Sequence, residues 1–158
     1  MSIPPARSMA LKILGQTLDQ DQDVQAAVDR VLKTAPEGPD QGLATELVYG
    51  YLRYKGRLNF IVHQLLKNPA KTPPIMQRIL GLAAYELLFL DRVPAYATLN
   101  WAVNLVRKKM NTTMGQVSNA VLRNLIRLGS VVHQPSYYQD KTTSYAAYLS
   151  AWYSAPLW

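Results

Sequence analysis

The sequence predicts an all-α fold, a helical bundle of about seven helices, and three observations carry that expectation. Apolar residues recur at intervals of three and four along most of the first 128 positions. No segment keeps the strict apolar–polar alternation of a half-buried strand. One stretch, Ile75 to Leu90, is apolar nearly all round, as a helix with neighbours on most sides must be.

The elements follow in order. Pro4-Pro5 precedes a first helix from about Ala6 to Leu18, with Ala6, Met9, Ala10, Ile13, Leu14 and Leu18 on its apolar face and Arg7 and Lys12 outside. The acidic link at 19–23 can cap a second helix, carried by Val24, Ala27, Val28, Val31 and Leu32 to about Thr34. Residues 36–40, P-E-G-P-D, form a turn, and Asp40 is a suitable N-cap for a third helix from about Gln41 to Tyr54. Gly50 on its inner face lowers helix propensity, which suits a close approach by another backbone. Lys55-Gly56-Arg57 then reads as an interruption before a fourth helix from about Leu58 to Lys67.

Asn68-Pro69 ends that helix, and Thr72-Pro73-Pro74 launches the central one. At 100° per residue, Ile75, Ile79, Leu82, Ala83, Leu87 and Leu90 make a broad stripe. Glu86 projects into that stripe, where a carboxylate needs a partner such as an Arg or Tyr. A sixth helix runs from about Ala95 to Lys109 and closes in Arg107-Lys108-Lys109, charges that suit the negative end of its dipole. The seventh spans Met114 to about Leu128, with Val117, Val121, Leu122, Leu125 and Leu128 on one half of the wheel and Gln116, Asn119, Arg123 and Arg127 on the other. Beyond Ser130 the pattern weakens: Pro135 reads as a break, and Lys141 to Trp152 as one more short helix.

Composition narrows the chemistry. At 158 residues the chain fits one ordinary domain with a core of its own. It has no cysteine, which excludes disulfides, thiolate metal sites and a cysteine nucleophile. Without a twenty-residue apolar run or a signal-peptide pattern, the expectation is a soluble, cytoplasmic protein. His63 and His133 stand far apart with no spaced carboxylate to complete a zinc site. Neither phosphate-cradling glycine motif is present, and Ser118 and Ser144 have no base arranged around them. The expectation is a chain that is not an enzyme and holds no cofactor.

Charge is unevenly spread. Residues 1–50 carry four basic and seven acidic side chains, a net of −3; residues 51–158 carry thirteen basic and three acidic, a net of +10. Concentrated positive charge points to an anionic partner, nucleic acid first. Three basic groups stand out as phosphate contacts: Arg53, Lys55 and Arg57; Arg107, Lys108 and Lys109; and Arg123 with Arg127. Tyr49, Tyr54 and Tyr96 are candidates to stack on unpaired bases, or equally to fill the core. A solvated basic surface without any partner is the competing reading.

Four segments in this order resemble a known family: R-S-M-A-L-K-I-L at 7–14, G-L-A-T-E-L-V-Y-G-Y-L-R at 42–53, R-V-P-A-Y-A-T-L-N-W-A-V at 92–103, and V-S-N-A-V-L-R at 117–123. They resemble the helical domain of the transcription antitermination protein NusB. They are closer still to the NusB-like N-terminal domain of bacterial small-subunit (16S) rRNA cytosine-5 methyltransferases, the Sun/RsmB group. The tail from Ser154 to Trp158 is similar to the Ser-x-Pro-x-Trp junction that leads into the catalytic region of those enzymes. On this resemblance, residues 1–133 form a NusB-like RNA-binding helical domain and 134–158 an extension towards a methyltransferase domain.

The resemblance implies an all-helical bundle that binds ribosomal RNA. A following domain would use S-adenosylmethionine and supply the cysteines that attack cytosine, and the zero cysteine count of this chain fits that domain lying elsewhere. Arg7 matches the basic position opening helix one, which faces RNA in the family; Arg53 and Arg123 match the arginines closing their motifs, which either touch RNA or hold helices together. Where the family has acidic residues, this chain has Trp101 and Asn104, and its first helix is poorer in arginine. Both departures favour a methyltransferase-associated module. The alternatives are a standalone antitermination factor that also binds a ribosomal protein, and a protein-interaction domain without RNA affinity.

Overall fold

The computed structural model describes residues 4–154. Among them the chain forms nine α-helices, two short 3-10 turns and no strand. The helices are α1 (Pro5–Leu18), α2 (Val24–Lys33), α3 (Pro39–Arg53), α4 (Lys55–Leu65), α5 (Pro74–Phe89), α6 (Ala95–Lys109), α7 (Thr112–Leu128), α8 (Pro135–Lys141) and α9 (Tyr145–Tyr153). Two compact units divide at the end of α3, Met1–Leu52 and Arg53–Trp158. The boundary coincides with the change of charge, so the acidic unit carries −3 and the basic unit +10.

In the first unit α1 begins on Pro5 with Pro4 as its cap, a position where a missing N–H costs nothing. Ala6, Ala10, Ile13 and Leu14 on α1 and Ala27, Val28 and Val31 on α2 are buried. Asp23 caps α2 by accepting from Ala26 N at 3.0 Å. Gln41 closes the turn into α3, its amide donating to the carbonyls of Leu32 and Ala35 at 3.2 and 3.1 Å. Arg30 ties α2 to α1 through Gln16, at 3.0 Å.

The second unit is built on α5. Every residue from Ile79 to Glu86 is buried, as is Met76, while Ile75 is 39% exposed. Burial therefore runs all round the middle of the helix: Ile79, Leu82, Ala83 and Leu90 of the expected stripe are buried, Met76, Leu80 and Tyr85 join them, and Ile75 in the first turn lies open. Each fully buried Leu or Ile contributes roughly 1.5–3 kcal/mol, which makes this helix the chief apolar asset of the unit. The helix packs between α4 and α6, with α7 against both α5 and α6. Glu86 is fully buried and accepts from Thr98 Oγ1 at 2.9 Å and Trp101 Nε1 at 3.2 Å, donors one turn apart on α6.

Two expectations need correction. The bundle has nine helices among the described residues, not about seven, because Pro135 opens α8 instead of breaking the chain; proline at the first helical position sacrifices only an N–H that would be unpaired anyway. Ser144 then caps α9 by accepting from Ala147 N at 3.1 Å. Likewise, Lys55-Gly56-Arg57 is not an interruption. Only Tyr54 lies between α3 and α4, and the three residues form the first turn of α4.

Gly56 is retained there because α9 crosses it closely. A Cβ would collide with the Ser150 carbonyl oxygen and lie 2.6 Å from Ser154 Cα. The Gly56 N–H donates to Ser154 Oγ at 3.0 Å, and Ser154 ends α9 in the left-handed conformation, φ 56°. Residues 155–158, the rest of the expected Ser-x-Pro-x-Trp junction, lie outside the described residues.

Candidate nucleic-acid interface

The helices α6 and α7 are joined by Met110 and Asn111 alone, which makes them a hairpin. Asn111 caps α7, accepting from Met114 N at 2.8 Å. The hairpin closes tightly because small residues sit on the inner side of α7: Gly115 and Ser118 are both buried. A Cβ at Gly115 would stand 3.3 Å from Arg107 Cβ and 3.5 Å from the Val103 carbonyl oxygen.

Along the outer seam of this hairpin runs an open groove with a cavity of about 290 Å³. Six of its residues, Tyr96, Leu99, Asn100, Val103, Asn104 and Arg107, recur every three or four positions and so form one face of α6; Asn119 and Arg123 come from α7. Leu99 and Val103 supply apolar contact area. Asn104 Nδ2 donates to Asn100 Oδ1 at 3.1 Å, and Arg107 Nη1 donates to Asn104 Oδ1 at 3.1 Å. On the opposite wall Arg123 Nε donates to Asn119 Oδ1 at 3.2 Å. The guanidiniums are thus held by neutral amides, with no carboxylate in the lining.

The candidates chosen from sequence distribute unequally. Arg107 and Arg123, from different basic groups, share this groove. Lys108 and Lys109 are exposed beside it in the last turn of α6. Arg127 is exposed one turn beyond Arg123 and donates to Asn124 Oδ1 at 2.5 Å. Arg53 and Lys55 are exposed at the α3–α4 junction. In the other unit Lys12 is exposed and Arg7 half-buried on α1.

Arg57 has a different setting. Its guanidinium lies 3.7 Å from the Trp152 ring centroid and donates to the Trp152 carbonyl through Nε and Nη2, at 3.2 and 2.8 Å. Burial lowers its pKa from the usual arginine value, and the rings of Tyr138 and Tyr54 partly offset that.

The tyrosines separate in the same way. Tyr49 is 38% exposed and donates to Gln25 Oε1 at 2.7 Å. Tyr54 stacks on Phe89, centroids 4.2 Å apart. Tyr96 is 75% exposed at the mouth of the groove. The groove asparagines were not picked out from sequence as a set, although Asn100 and Asn104 at four-residue spacing between Tyr96 and Arg107 carry the signal. Among the described residues no group of three His, Cys, Asp or Glu is placed to hold a metal ion, and no helix is long and apolar enough to cross a membrane.

Known proteins match this chain on several fronts. The Probable ribosomal RNA small subunit methyltransferase B of Synechocystis sp. is 37% identical over 124 residues, 77% of this chain and 28% of the relative. The corresponding Bacillus subtilis protein is 30% identical over 125 residues, 78% of this chain and 28% of the relative. The chain thus spans little more than a quarter of these methyltransferases. The transcription antitermination protein NusB of Nocardioides sp. is 27% identical over 124 residues, 91% of its length. In fold, a chain in the crystal structure of a plectonemic RNA supercoil superposes with a TM-score of 0.71 at 21% identity, covering 80% of this chain and 95% of that one. The model of the NusB family matches residues 4–127, and the chain, with its helical bundle and those relatives, belongs to the NusB family.

Proposed function

We propose that this chain is the non-catalytic RNA-binding module of a small-subunit ribosomal RNA (cytosine-C5) methyltransferase, and that it helps position ribosomal RNA for a methyl-transferring domain in the same protein, in the cytoplasm. The observation that carries the reading is the α6–α7 groove, lined by arginines from two helices and by no carboxylate, on the unit that holds thirteen of the seventeen Lys and Arg residues. The methyltransferase assignment is supported by the 37% and 30% identities to relatives bearing that name. Residues 1–133 are the RNA-binding part in this reading, and 134–158 lead towards the catalytic region.

S-adenosylmethionine belongs to the domain outside this chain. Its binding does not fit the described residues, which form helices and turns with no strand and no glycine-rich strand-to-helix turn. The chain's own part is electrostatic: Arg107 and Arg123, with the exposed Lys108, Lys109, Arg127, Arg53 and Lys55 of the same unit, displace counterions from phosphate. Lys12 and Arg7 are further candidates on α1.

A standalone antitermination factor is the second reading, and one observation favours it: the match spans 91% of the Nocardioides NusB protein. In that case a ribosomal protein would be a second partner.

The test is binding of the 158-residue protein to a labelled small-subunit ribosomal RNA fragment across a salt series. Affinity is expected to fall on a log–log slope of about −0.7 per single-strand phosphate contacted. Absence of binding at low salt overturns the proposal.

A further inference from the structure

We propose that the α6–α7 groove holds one unpaired ribonucleotide, its base stacked on Tyr96 and its phosphates gripped by Arg107 and Arg123. This rests on the RNA-binding reading above and specifies its site and the form of RNA it takes.

Four features point there. Tyr96 is 75% exposed, and among the described residues no ring or cation packs on it, so its face is available to a ligand. A stacked duplex offers no free base face to such a ring, whereas an unpaired base does. Second, Arg107 and Arg123 approach one cavity from two helices, and neither is ion-paired with a described residue. Two like charges facing one cavity repel, and the two phosphates that flank a bound nucleotide, one at each fork, remove that cost.

Third, the lining that Tyr96 shares with the two guanidiniums also includes the apolar Leu99 and Val103 and the amides of Asn100, Asn104 and Asn119. Apolar side chains suit the flat faces of base and ribose, and amides can pair with base edges or a 2′-hydroxyl. Fourth, at about 290 Å³ the cavity is at the small end of ligand sites, a size that suits one nucleotide. The arginine–asparagine chain Arg107–Asn104–Asn100 fixes the wall before any ligand arrives, which limits the ordering cost of binding.

The experiment measures fluorescence anisotropy of labelled single-stranded and duplex oligoribonucleotides with the 158-residue protein, Tyr96→Ala, Tyr96→Phe, and the double variant Arg107→Gln/Arg123→Gln. Thermal melts confirm that each variant is folded, which the exposure of all three positions favours. Single strands are expected to bind more tightly than duplex. Tyr96→Ala should weaken single-strand binding about tenfold or more with an unchanged salt slope, and Tyr96→Phe should restore it. The double variant should flatten the salt slope by about 1.4, two phosphates at about 0.7 each. Wild-type binding that is equal for duplex, or unaltered in the folded variants, overturns the groove while leaving the RNA-binding reading intact. Absence of any RNA binding by the wild type overturns both.

Discussion

Arg57 is held by both the ring and the main chain of Trp152: its guanidinium stacks on the indole, 3.7 Å from the centroid, and donates twice to the carbonyl oxygen of the same residue. The contact joins the first turn of α4 to the last turn of α9. A planar fork can satisfy both demands at once, because its face meets the ring while its edge points at the carbonyl. Tyr138 extends the cluster, its ring 5.3 Å from Trp152 and its hydroxyl donating to the Val132 carbonyl at 2.7 Å. Burial pushes the Tyr138 hydroxyl well above the ordinary tyrosine range.

Replacing Arg57 with lysine keeps the charge and loses the fork. We expect a cost of about 1–2 kcal/mol, or roughly 2–8 °C in Tm by circular dichroism. RNA affinity should change far less than in the Arg107/Arg123 double variant, since this charge is committed within the protein. An equal loss of RNA affinity in the Arg57→Lys protein would instead place Arg57 on the RNA surface.

Gly56→Ala should be the most disruptive single-methyl change in the second unit. The added carbon has no room beside Ser150 and Ser154, both backbone-limited positions, so α9 must move away from α4. Overpacking of this sort costs about 1–3 kcal/mol. Limited proteolysis should then cleave near 142–145 faster than in the wild type; unchanged cleavage would mean that the contact yields at little cost.

Glu86 offers a test of how the core tolerates its carboxylate. Glu86→Ala strands the donors Thr98 Oγ1 and Trp101 Nε1 inside the bundle, each left unsatisfied at about 1–3 kcal/mol. Glu86→Gln keeps an acceptor oxygen and should cost less. Urea denaturation followed by far-ultraviolet dichroism distinguishes them, and equal midpoints for the two variants would show that these hydrogen bonds add nothing.

Gly115→Leu probes the groove without replacing any residue of its lining. The larger side chain meets Arg107 and the Val103 carbonyl, so it should tilt Arg107 away from Arg123. Single-strand affinity should fall several-fold in a protein whose helix content by circular dichroism is unchanged. Wild-type affinity in that folded protein would show that the spacing of the two arginines is immaterial.

Trp101 shows how a residue can be noticed in sequence and understood only in three dimensions. It stands out as a bulky side chain at a position where the resemblance leads one to expect an acid. In the fold it is 4% exposed and donates to Glu86. The same holds for the partner expected for Glu86: burial of a carboxylate calls for donors, and the spacing of residues 98 and 101 on α6 meets that need.

By itself the sequence determined the all-α class, where the first seven helices lie to within a few residues, which residues of most of them turn inward, and that positive charge is concentrated after residue 50. Those properties are written in spacings of three and four residues and in local composition, so neighbouring residues suffice to read them. It misjudged Lys55-Gly56-Arg57 and Pro135 for the opposite reason. A glycine reads locally as a helix breaker, and only the passage of α9 over α4 explains why the helix keeps it. Tertiary packing alone decided that Arg107 and Arg123 share a groove, that Arg57 lies under Trp152, and that Tyr96 is exposed while Tyr54 stacks on Phe89. Each of those outcomes depends on which helix faces meet across long stretches of chain, and that is settled by the total apolar burial of the bundle.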